Sequence, residues 1–349
     1  MKPIDPDLRG CFLADQSGRA PAWLQRRIDP ILPSGVFASA RIASPVTRLR
    51  ATDTGPARRV ARSARGRTTQ LLRRGALIDK YRIVDVLGMG GFAVVYRATH
   101  LLLQTPVAIK LLRPEVLSAR PGIEAQLIIE ARFAARISHP NVVRIYDITH
   151  SAELTYIVME YIDGSTLSKQ LSVRGRLAPS AVVQIGLHVV AGLRAGLEQG
   201  LIHRDIKPAN ILLSRSGMAT IVDYGMAHAA QPENWLEDGA PPAVVGTRGY
   251  MAPEQAIDSS RVDFRADVYA LGVTLQEAAS AQLRTHKPAS ESPLPPRLSR
   301  LLRSMQKPDP RDRPASYDAL FDELSAIKME LAGETSEEGS RKERGRASG

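Results

Sequence analysis

The sequence predicts an α+β protein in two parts, a β-rich part followed by a mainly helical part. Three observations support this prediction. Apolar residues alternate from Tyr81 onward around a glycine turn, which is typical of antiparallel strands. Beyond the turn Asp163-Gly164-Ser165 the apolar pattern lengthens into helical segments, of which residues 179–200 form the longest. Residues 1–75 show neither period and are expected to stay outside the fold.

The formal net charge of +11 is concentrated at the N-terminal end of the 349-residue chain. Residues 1–75 hold 15 Lys and Arg against 5 Asp, and residues 57–67 form an Arg-rich run. Such a composition buries too little apolar surface to offset the entropy of ordering, so it predicts a disordered basic arm. The arm could tether an anionic partner, or it could be a solvated segment without a dedicated partner.

The remaining composition is that of an ordinary globular protein, with 44% hydrophobic and 24% charged residues over the whole chain. No uninterrupted apolar run approaches the roughly 18 residues that span a bilayer, and residues 1–5 lack the apolar region of a signal peptide. A cytoplasmic protein without a transmembrane segment is therefore expected. The single Cys11 excludes an internal disulfide and argues against a metal site there.

The β-rich part contains a strand, a glycine turn and a second strand over residues 81–96. Glycines such as Gly88, Gly90 and Gly91 let backbone N–H groups come close to phosphates, although glycine turns in hairpins are common. The next strand, residues 107–110, ends in Lys110, a cation suited to phosphate oxygens. Each of these signals is weak when it stands alone.

Residues 123–137 are predicted to form an amphipathic helix that places Glu130 on its apolar face. A carboxylate in that position needs a partner, and Lys110 is the obvious one. In the alternative interpretation, Glu130 lies at the edge of the stripe and is solvated. Two strands, residues 142–148 and 155–161, are predicted to follow.

The helical part is organised around residues 201–213, a loop that places an acid, a base and an amide at fixed offsets, Asp205, Lys207 and Asn210. Its apolar flanks predict short buried strands on both sides. A further strand ends in Asp223, and helices are predicted to begin near Arg265 and after residue 316. His188, within the long helix, is interpreted as a packed core residue.

In this order the motifs resemble those of the bacterial eukaryotic-like (Hanks-type) Ser/Thr protein kinases, over about residues 78–327. The motifs are the glycine turn, V-A-I-K, the helix glutamate, H-R-D-I-K-P-A-N, D-Y-G, A-P-E, D-V-Y-A-L-G and D-R-P-A-S. The resemblance implies the bilobal protein-kinase fold, with a five-stranded antiparallel N-lobe sheet, one key helix and a mainly helical C-lobe. The domain would cover residues 76–327, divided into an N-lobe at 76–162 and a C-lobe at 163–327, followed by a charged flexible tail at 328–349.

The resemblance also implies a role for each polar residue of the site. Asp205 would orient the acceptor hydroxyl and take its proton, and Lys207 would neutralise the transferring phosphoryl group. Asn210 and Asp223 would bind Mg²⁺, with Mn²⁺ as an alternative ion. Lys110 would bind the α and β phosphates with Glu130 holding it in place, and Thr247 would contact the catalytic aspartate and lysine.

The nucleotide implied by the resemblance is ATP. The phosphates would lie under the glycine turn and its flanks, and the adenine ring would lie in an apolar slot beside the hinge. The predicted ATP-binding residues are Leu87, Gly88, Met89, Gly90, Gly91, Phe92, Ala93, Val94, Val95, Ala108, Lys110, Glu130, Met159, Glu160, Ile162 and Leu212.

The implied activity is transfer of the ATP γ-phosphoryl group to Ser or Thr hydroxyls of proteins, including the chain itself, in intracellular signalling. Two other functions stay open: a pseudokinase or scaffold, and a nucleic-acid-binding protein that acts through its basic arm. A binding-only relative would be expected to lack at least one of five polar residues, and all five are present, which argues against the first: Lys110, Glu130, Asp205, Asn210 and Asp223. The arm has no aromatic residue within its Arg-rich run, which argues against the second.

The sequence departs from the family pattern at four places. Ala93 replaces the third glycine of the turn, Tyr224 replaces Phe after Asp223, and residues 278–292 are short and polar where relatives carry a further helix. Glu254 and Arg313 nevertheless match a buried ion pair that braces the C-lobe. The fourth departure is that residues 226–246 contain no Ser, Thr or Tyr, although Arg204 precedes the catalytic aspartate as in kinases that bind an activating phosphate.

Two hypotheses follow: an acidic residue among Glu233, Glu237 and Asp238 is the partner of Arg204, or the segment is ordered without a phosphate. Phosphopeptide mapping of the autophosphorylated protein tests this. The expected result is activity without a phosphate between residue 226 and Thr247, and an activating phosphate on Thr247 would contradict it.

Overall fold

The computed structural model describes residues 71–119, 123–151, 154–224, 249–257, 262–280 and 294–346. Most of the predicted basic arm, residues 226–246, Thr247 and most of the short polar segment after residue 278 lie outside these ranges, so the predictions about them stay predictions. The elements of the described chain, in order, are β1 (Leu77–Ile78), β2 (Tyr81–Met89), β3 (Ala93–His100), β4 (Pro106–Leu112), α1 (Pro114–Ala119), α2 (Ile123–Ala134), β5 (Ile145–His150), β6 (Thr155–Glu160), β7 (Gly164–Thr166), α3 (Leu167–Arg174), α4 (Pro179–Glu198), β8 (Ile211–Ser214), β9 (Ala219–Ile221), α5 (Pro253–Ile257), α6 (Arg265–Ser280), α7 (Pro296–Met305) and α8 (Tyr317–Arg346).

The first lobe is an antiparallel sheet in the order β1-β2-β3-β4-β6-β5, with helix α2 beside it. Successive side chains of β3 point to opposite faces of the sheet. Val94, Tyr96 and Ala98 are buried in the core of this lobe, while Val95 lies on the other face. The sequence predicted five strands and one helix. The two-residue strand β1 and the short helix α1 are additional, because segments of that length carry no readable period.

The second lobe is built around α4, which packs against α6, α8 and β9. Helix α4 begins with Pro179 at its first position, where the missing N–H is not needed, and buries apolar residues on most of its surface. Among the described residues, α4 alone is long and apolar enough by length and composition to cross a membrane, although Gln184, His188 and Arg194 interrupt its apolar residues. However, 56% of its apolar window is buried inside the fold, as in the core helix of a globular domain.

The two lobes are joined beside the cleft by backbone hydrogen bonds. Val143 N–H donates to the Ile221 carbonyl at 2.9 Å, and Ile221 N–H donates to the Asn141 carbonyl at 2.8 Å. The buried Asn141 amide also donates to the Ala219 carbonyl at 2.7 Å. The segment after α2 is therefore tied to strand β9, which leads directly to Asp223.

Two other predictions about elements differ from the structure. Leu201 and Ile202 were expected to form a strand, but residues 201–206 are an irregular segment that pairs with no strand in the described chain. Residues 328–346 were expected to be a flexible tail, whereas they continue helix α8 as far as Arg346. Their Glu, Lys and Arg residues have high helix propensity, which the charge alone does not reveal. His188, interpreted from the sequence as a packed core residue, is partly buried, and its Nδ1 accepts from Ala219 N–H at 3.1 Å.

The predicted ion pair of Glu254 and Arg313 is confirmed and is the best satisfied buried charge of the second lobe. The Arg313 side chain is 0% exposed, and its Nη1 and Nη2 donate to the two Glu254 oxygens at 2.6 and 2.8 Å. Its remaining N–H groups donate to the carbonyls of Lys307, Arg265 and Pro308. All five guanidinium donors are thus used.

We predict that Arg313→Ala lowers the free energy of unfolding by about 3–5 kcal/mol, because it leaves Glu254 and three carbonyls without their partner in a buried place. Denaturant unfolding measures this. Arg311→Ala is the matched control, since Arg311 is 85% exposed and pairs with Asp309 at the surface, and it should leave the stability nearly unchanged. Equal stability losses in the two variants would contradict the prediction.

Candidate active site

Three of the four predicted catalytic residues, Asp205, Lys207 and Asn210, lie together on the segment between α4 and β8. Lys207 Nζ donates to Asp205 Oδ2 at 2.7 Å, and both side chains are about a quarter exposed. Asn210 Nδ2 donates to the Asp205 carbonyl and to Oδ2, each at 2.9 Å. One carboxylate oxygen is therefore fixed by an ammonium and an amide, and the site opens to solvent on one side.

A buried carboxylate from α6 holds the start of this segment. Asp267, fully buried, accepts the His203 N–H at 2.8 Å and the Arg204 N–H at 2.7 Å. Tyr317 donates its hydroxyl to the same carboxylate at 3.3 Å. Burial raises the pKa of Asp267, and the His203 ring and these hydrogen bonds act in the opposite direction.

Arg204 has a backbone φ of 64°, in the left-handed region that costs a non-glycine residue about 1–2 kcal/mol. Its N–H is held by Asp267, and its carbonyl accepts the Gln255 amide at 3.1 Å. The hydrogen bonds of the Arg204 N–H and of the Arg204 carbonyl together fix the strained turn that precedes Asp205.

His203 connects the segment to the strand that leads to Asp223. Its Nδ1 accepts the Asp205 N–H at 3.2 Å, so Nε2 carries the proton and donates to the Val222 carbonyl at 3.1 Å. Val222 N–H in turn donates to the Asn210 carbonyl at 3.0 Å. One network of hydrogen bonds therefore connects the backbone at Asp205, Asn210 and Val222, the residue before Asp223.

Asp223 pairs with Lys110 across the cleft, with Nζ 2.6 Å from Oδ1. Although burial favours the neutral acid, the Lys110 ammonium and its hydrogen bond keep the pKa of Asp223 below its ordinary value. Asp223 is therefore ionised at neutral pH. The sequence predicted Glu130 as the partner of Lys110. Glu130 lies in α2, but its side chain is outside the described part, so that pairing stays a prediction.

Of the predicted adenine slot, Ala108 and Met159 form one buried cluster, with Val95 and Ile162 packed at its edge. Val143 and Val222 complete this cluster and were missed by sequence reasoning, because each looks like an ordinary strand residue. Leu212 is partly buried on β8, and Glu160 ends β6 at the hinge. Val94 lies in the sheet core on the opposite face, so only its backbone could contact a nucleotide.

The glycine turn leaves room for a ligand. A Cβ on Gly88 or Gly91 would meet nothing within 4 Å, and neither glycine has a positive φ. The protein itself therefore does not require glycine there, whereas a phosphate approaching the backbone N–H groups would. Leu87 and Met89 are largely exposed beside them. Gly90 N–H donates to the Ala93 carbonyl at 2.9 Å, and Ala93 and the partly buried Phe92 pack near Leu112 and Leu127.

The residues present fit a divalent cation with a nucleotide. Asp223 offers a carboxylate, and the Asn210 amide turns its N–H groups toward Asp205 and so presents its oxygen elsewhere. Mg²⁺ prefers such hard oxygen ligands and is usually held by only one or two side chains, with phosphates and water completing the shell. Within the described ranges, no group of three or more His, Cys, Asp or Glu side chains could hold a metal ion.

Comparison with known proteins matches residues 81–324, well over half of the chain, to the protein kinase domain family. The Ser/Thr protein kinase PknB of Mycobacterium leprae is 38% identical over 210 residues, which cover 59% of this chain and 33% of the relative. A probable Ser/Thr protein kinase of Streptomyces coelicolor is 38% identical over 202 residues, covering 57% and 30%. The chain thus aligns with about a third of the length of these relatives.

A solved structure gives the same fold. The crystal structure of the Mycobacterium tuberculosis PknI kinase domain superposes with a TM-score of 0.58 and 26% sequence identity, covering 73% of this chain and 99% of that one. The predicted bilobal kinase fold is therefore confirmed.

We predict that Asp267→Asn lowers the turnover number for phosphoryl transfer by about 100-fold while the KM for ATP changes little. The amide has one acceptor oxygen for two N–H donors, so the turn before Asp205 shifts, and small misplacements of catalytic groups cost about that much. The adenine cluster and Lys110 lie mainly on the other lobe and should be unaffected. Asp318→Asn, a 71% exposed carboxylate, is the control, and an unchanged turnover number in Asp267→Asn would contradict the prediction.

Proposed function

The chain belongs to the protein kinase family, and on that premise we propose that it transfers the γ-phosphoryl group of ATP to Ser and Thr hydroxyls of proteins. The observation that carries the proposal is the Asp205, Lys207 and Asn210 constellation, facing a Lys110–Asp223 pair across one cleft. The similarity to Ser/Thr kinases supports the choice of acceptor. Protein substrates, the chain itself among them, and a cytoplasmic place where ATP is available are part of the same proposal.

Asp205 is the group that handles the acceptor. Its carboxylate accepts a hydrogen bond from the Ser or Thr hydroxyl and takes the proton as the oxygen attacks phosphorus. The Asn210 amide fixes the orientation of this carboxylate, because both of its donated bonds go to Asp205. Lys207, 2.7 Å away, stabilises the negative charge of the transferring group.

Lys110 and Asp223 handle the nucleotide. In this proposal the Lys110 ammonium would donate to the α and β phosphates of ATP, and the Asp223 carboxylate would hold the cation together with Asn210. Mg²⁺, or Mn²⁺ in its place, would supply charge neutralisation on the phosphate oxygens. The adenine ring would be held between Val95 and Ala108 on one side and Leu212 on the other, with the backbone of Glu160 and Ile162 at its edge.

A pseudokinase that binds nucleotide without transfer is the main alternative, and phosphate transfer decides between them. Radiolabelled ATP with a generic basic protein should give labelled acceptor, and Asp205→Asn should lower the rate about 10²- to 10⁴-fold, the usual contribution of a general base. Asp147→Asn, a carboxylate that is 44% exposed, is the control. Equal labelling by wild type and Asp205→Asn would refute the proposal.

A nucleic-acid-binding function of the basic arm is the second alternative. It is tested by gel shift of duplex and single-stranded nucleic acid with the full chain and with residues 76–349. A shift by the full chain alone, lost at high salt, would assign this function to the arm. We expect the two proteins to behave alike.

A further inference from the structure

Tyr224, the residue after Asp223, is anchored on two sides. Its ring meets the His203 ring edge to face, with 4.9 Å between centroids. Its hydroxyl donates to the Leu193 carbonyl of helix α4 at 3.4 Å. The side chain is 3% exposed, and burial raises the pKa of the hydroxyl far above its ordinary value, so it stays a neutral donor.

The absence of a side chain at Gly196 leaves the space that the Tyr224 ring and hydroxyl occupy. Gly196 lies three residues after Leu193 and so on the same face of α4. A Cβ at this position would lie 1.7 Å from the Tyr224 hydroxyl oxygen, 2.2 Å from Cζ and 2.8 Å from Cε1. Glycine inside a helix is destabilising relative to alanine, so the sequence accepts a weaker helix where the tyrosine needs space.

The contacts of the Tyr224 side chain help to hold the backbone conformation of Asp223. Asp223 has a φ of 59°, a left-handed conformation that persists only where its surroundings enforce it. On one side, the Val222 carbonyl is held by His203 Nε2. On the other side, the anchor is Tyr224. Between these two points the Asp223 carboxylate is aimed at Lys110.

We propose that Gly196 is a positioning residue for the cation site: by admitting the Tyr224 side chain, it aims the Asp223 carboxylate into the cleft. This inference rests on the proposed function, in which Asp223 holds the cation. The family pattern has phenylalanine at this position. Tyrosine adds one hydroxyl oxygen, and this oxygen is the atom that lies closest to Gly196. Tyr224 and Gly196 therefore act as a matched pair.

A double-mutant cycle tests the pair. Leucine at position 224 lacks the hydroxyl, Cζ and Cε1, the three atoms that a Cβ at position 196 would meet. We expect Gly196→Ala alone to weaken Mg²⁺-dependent binding of ADP on the order of tenfold, and to have an effect of about twofold or less when added to Tyr224→Leu. Binding is measured by titration calorimetry with and without Mg²⁺, alongside the melting temperature of each variant.

Several outcomes would overturn the inference. They are wild-type Mg²⁺-dependent binding in Gly196→Ala, a loss that is equally large in the Tyr224→Leu background, and an equal loss of metal-free ADP binding, which would indicate general damage to the fold. Gly333→Ala is the control, because a Cβ there meets nothing within 4 Å. If Gly196→Ala does not fold, Tyr224→Phe removes the hydroxyl alone and should weaken metal-dependent binding a few fold; unchanged binding would overturn the role of the hydroxyl.

The same titrations separate this inference from the proposed function. If the wild-type chain binds ADP with Mg²⁺ but transfers no phosphoryl group, the proposed function fails, and the binding cycle still decides the role of Gly196. If the wild-type chain binds no nucleotide, both fail.

Discussion

The buried carboxylate of Asp267 is the contact on which the geometry of the site depends. This carboxylate accepts hydrogen bonds from two consecutive backbone N–H groups, those of His203 and Arg204, at the turn that precedes Asp205. An uncompensated buried charge would be costly, but here two N–H donors and the Tyr317 hydroxyl surround it. Because Asp267 stands on α6, a helix whose residues are mostly buried, the turn before Asp205 is fixed from the core of the helical lobe.

From this turn, contacts extend to the rest of the site in short steps. His203 reaches Val222, Asn210 reaches both Asp205 and Val222, and Tyr224 returns to α4. The two strained residues, Arg204 and Asp223, both lie within this frame. The acid proposed to handle the acceptor and the acid proposed to hold the cation are therefore positioned by one network, although they stand 18 positions apart in the sequence.

Much of this could be predicted from the sequence, for physical reasons that differ by residue. Lys110, Asp205, Asn210 and Asp223 stand in short motifs whose roles follow from the resemblance to the kinase family, and the structure pairs Lys110 with Asp223 and joins Asn210 to Asp205. Asp267 begins the quoted D-V-Y-A-L-G motif but was given no role in the site, because a carboxylate in a buried helix gives no sign of which N–H groups it will bind. Gly196 was missed for a similar reason, since its value lies in a contact with a residue 28 positions away. Strand β1 and helix α1 were not predicted because they are too short to show a hydrophobic period in the sequence.

The most direct test of this account is a crystal structure of the chain with Mg²⁺ and a non-hydrolysable ATP analogue. The account predicts that the base lies against Val95 and Ala108, that Lys110 leaves Asp223 for the phosphates, and that Asp223 and Asn210 bind the cation while Asp205 keeps its bond to Asn210. A nucleotide bound elsewhere, or a Lys110–Asp223 pair still closed beneath a bound nucleotide, would contradict it.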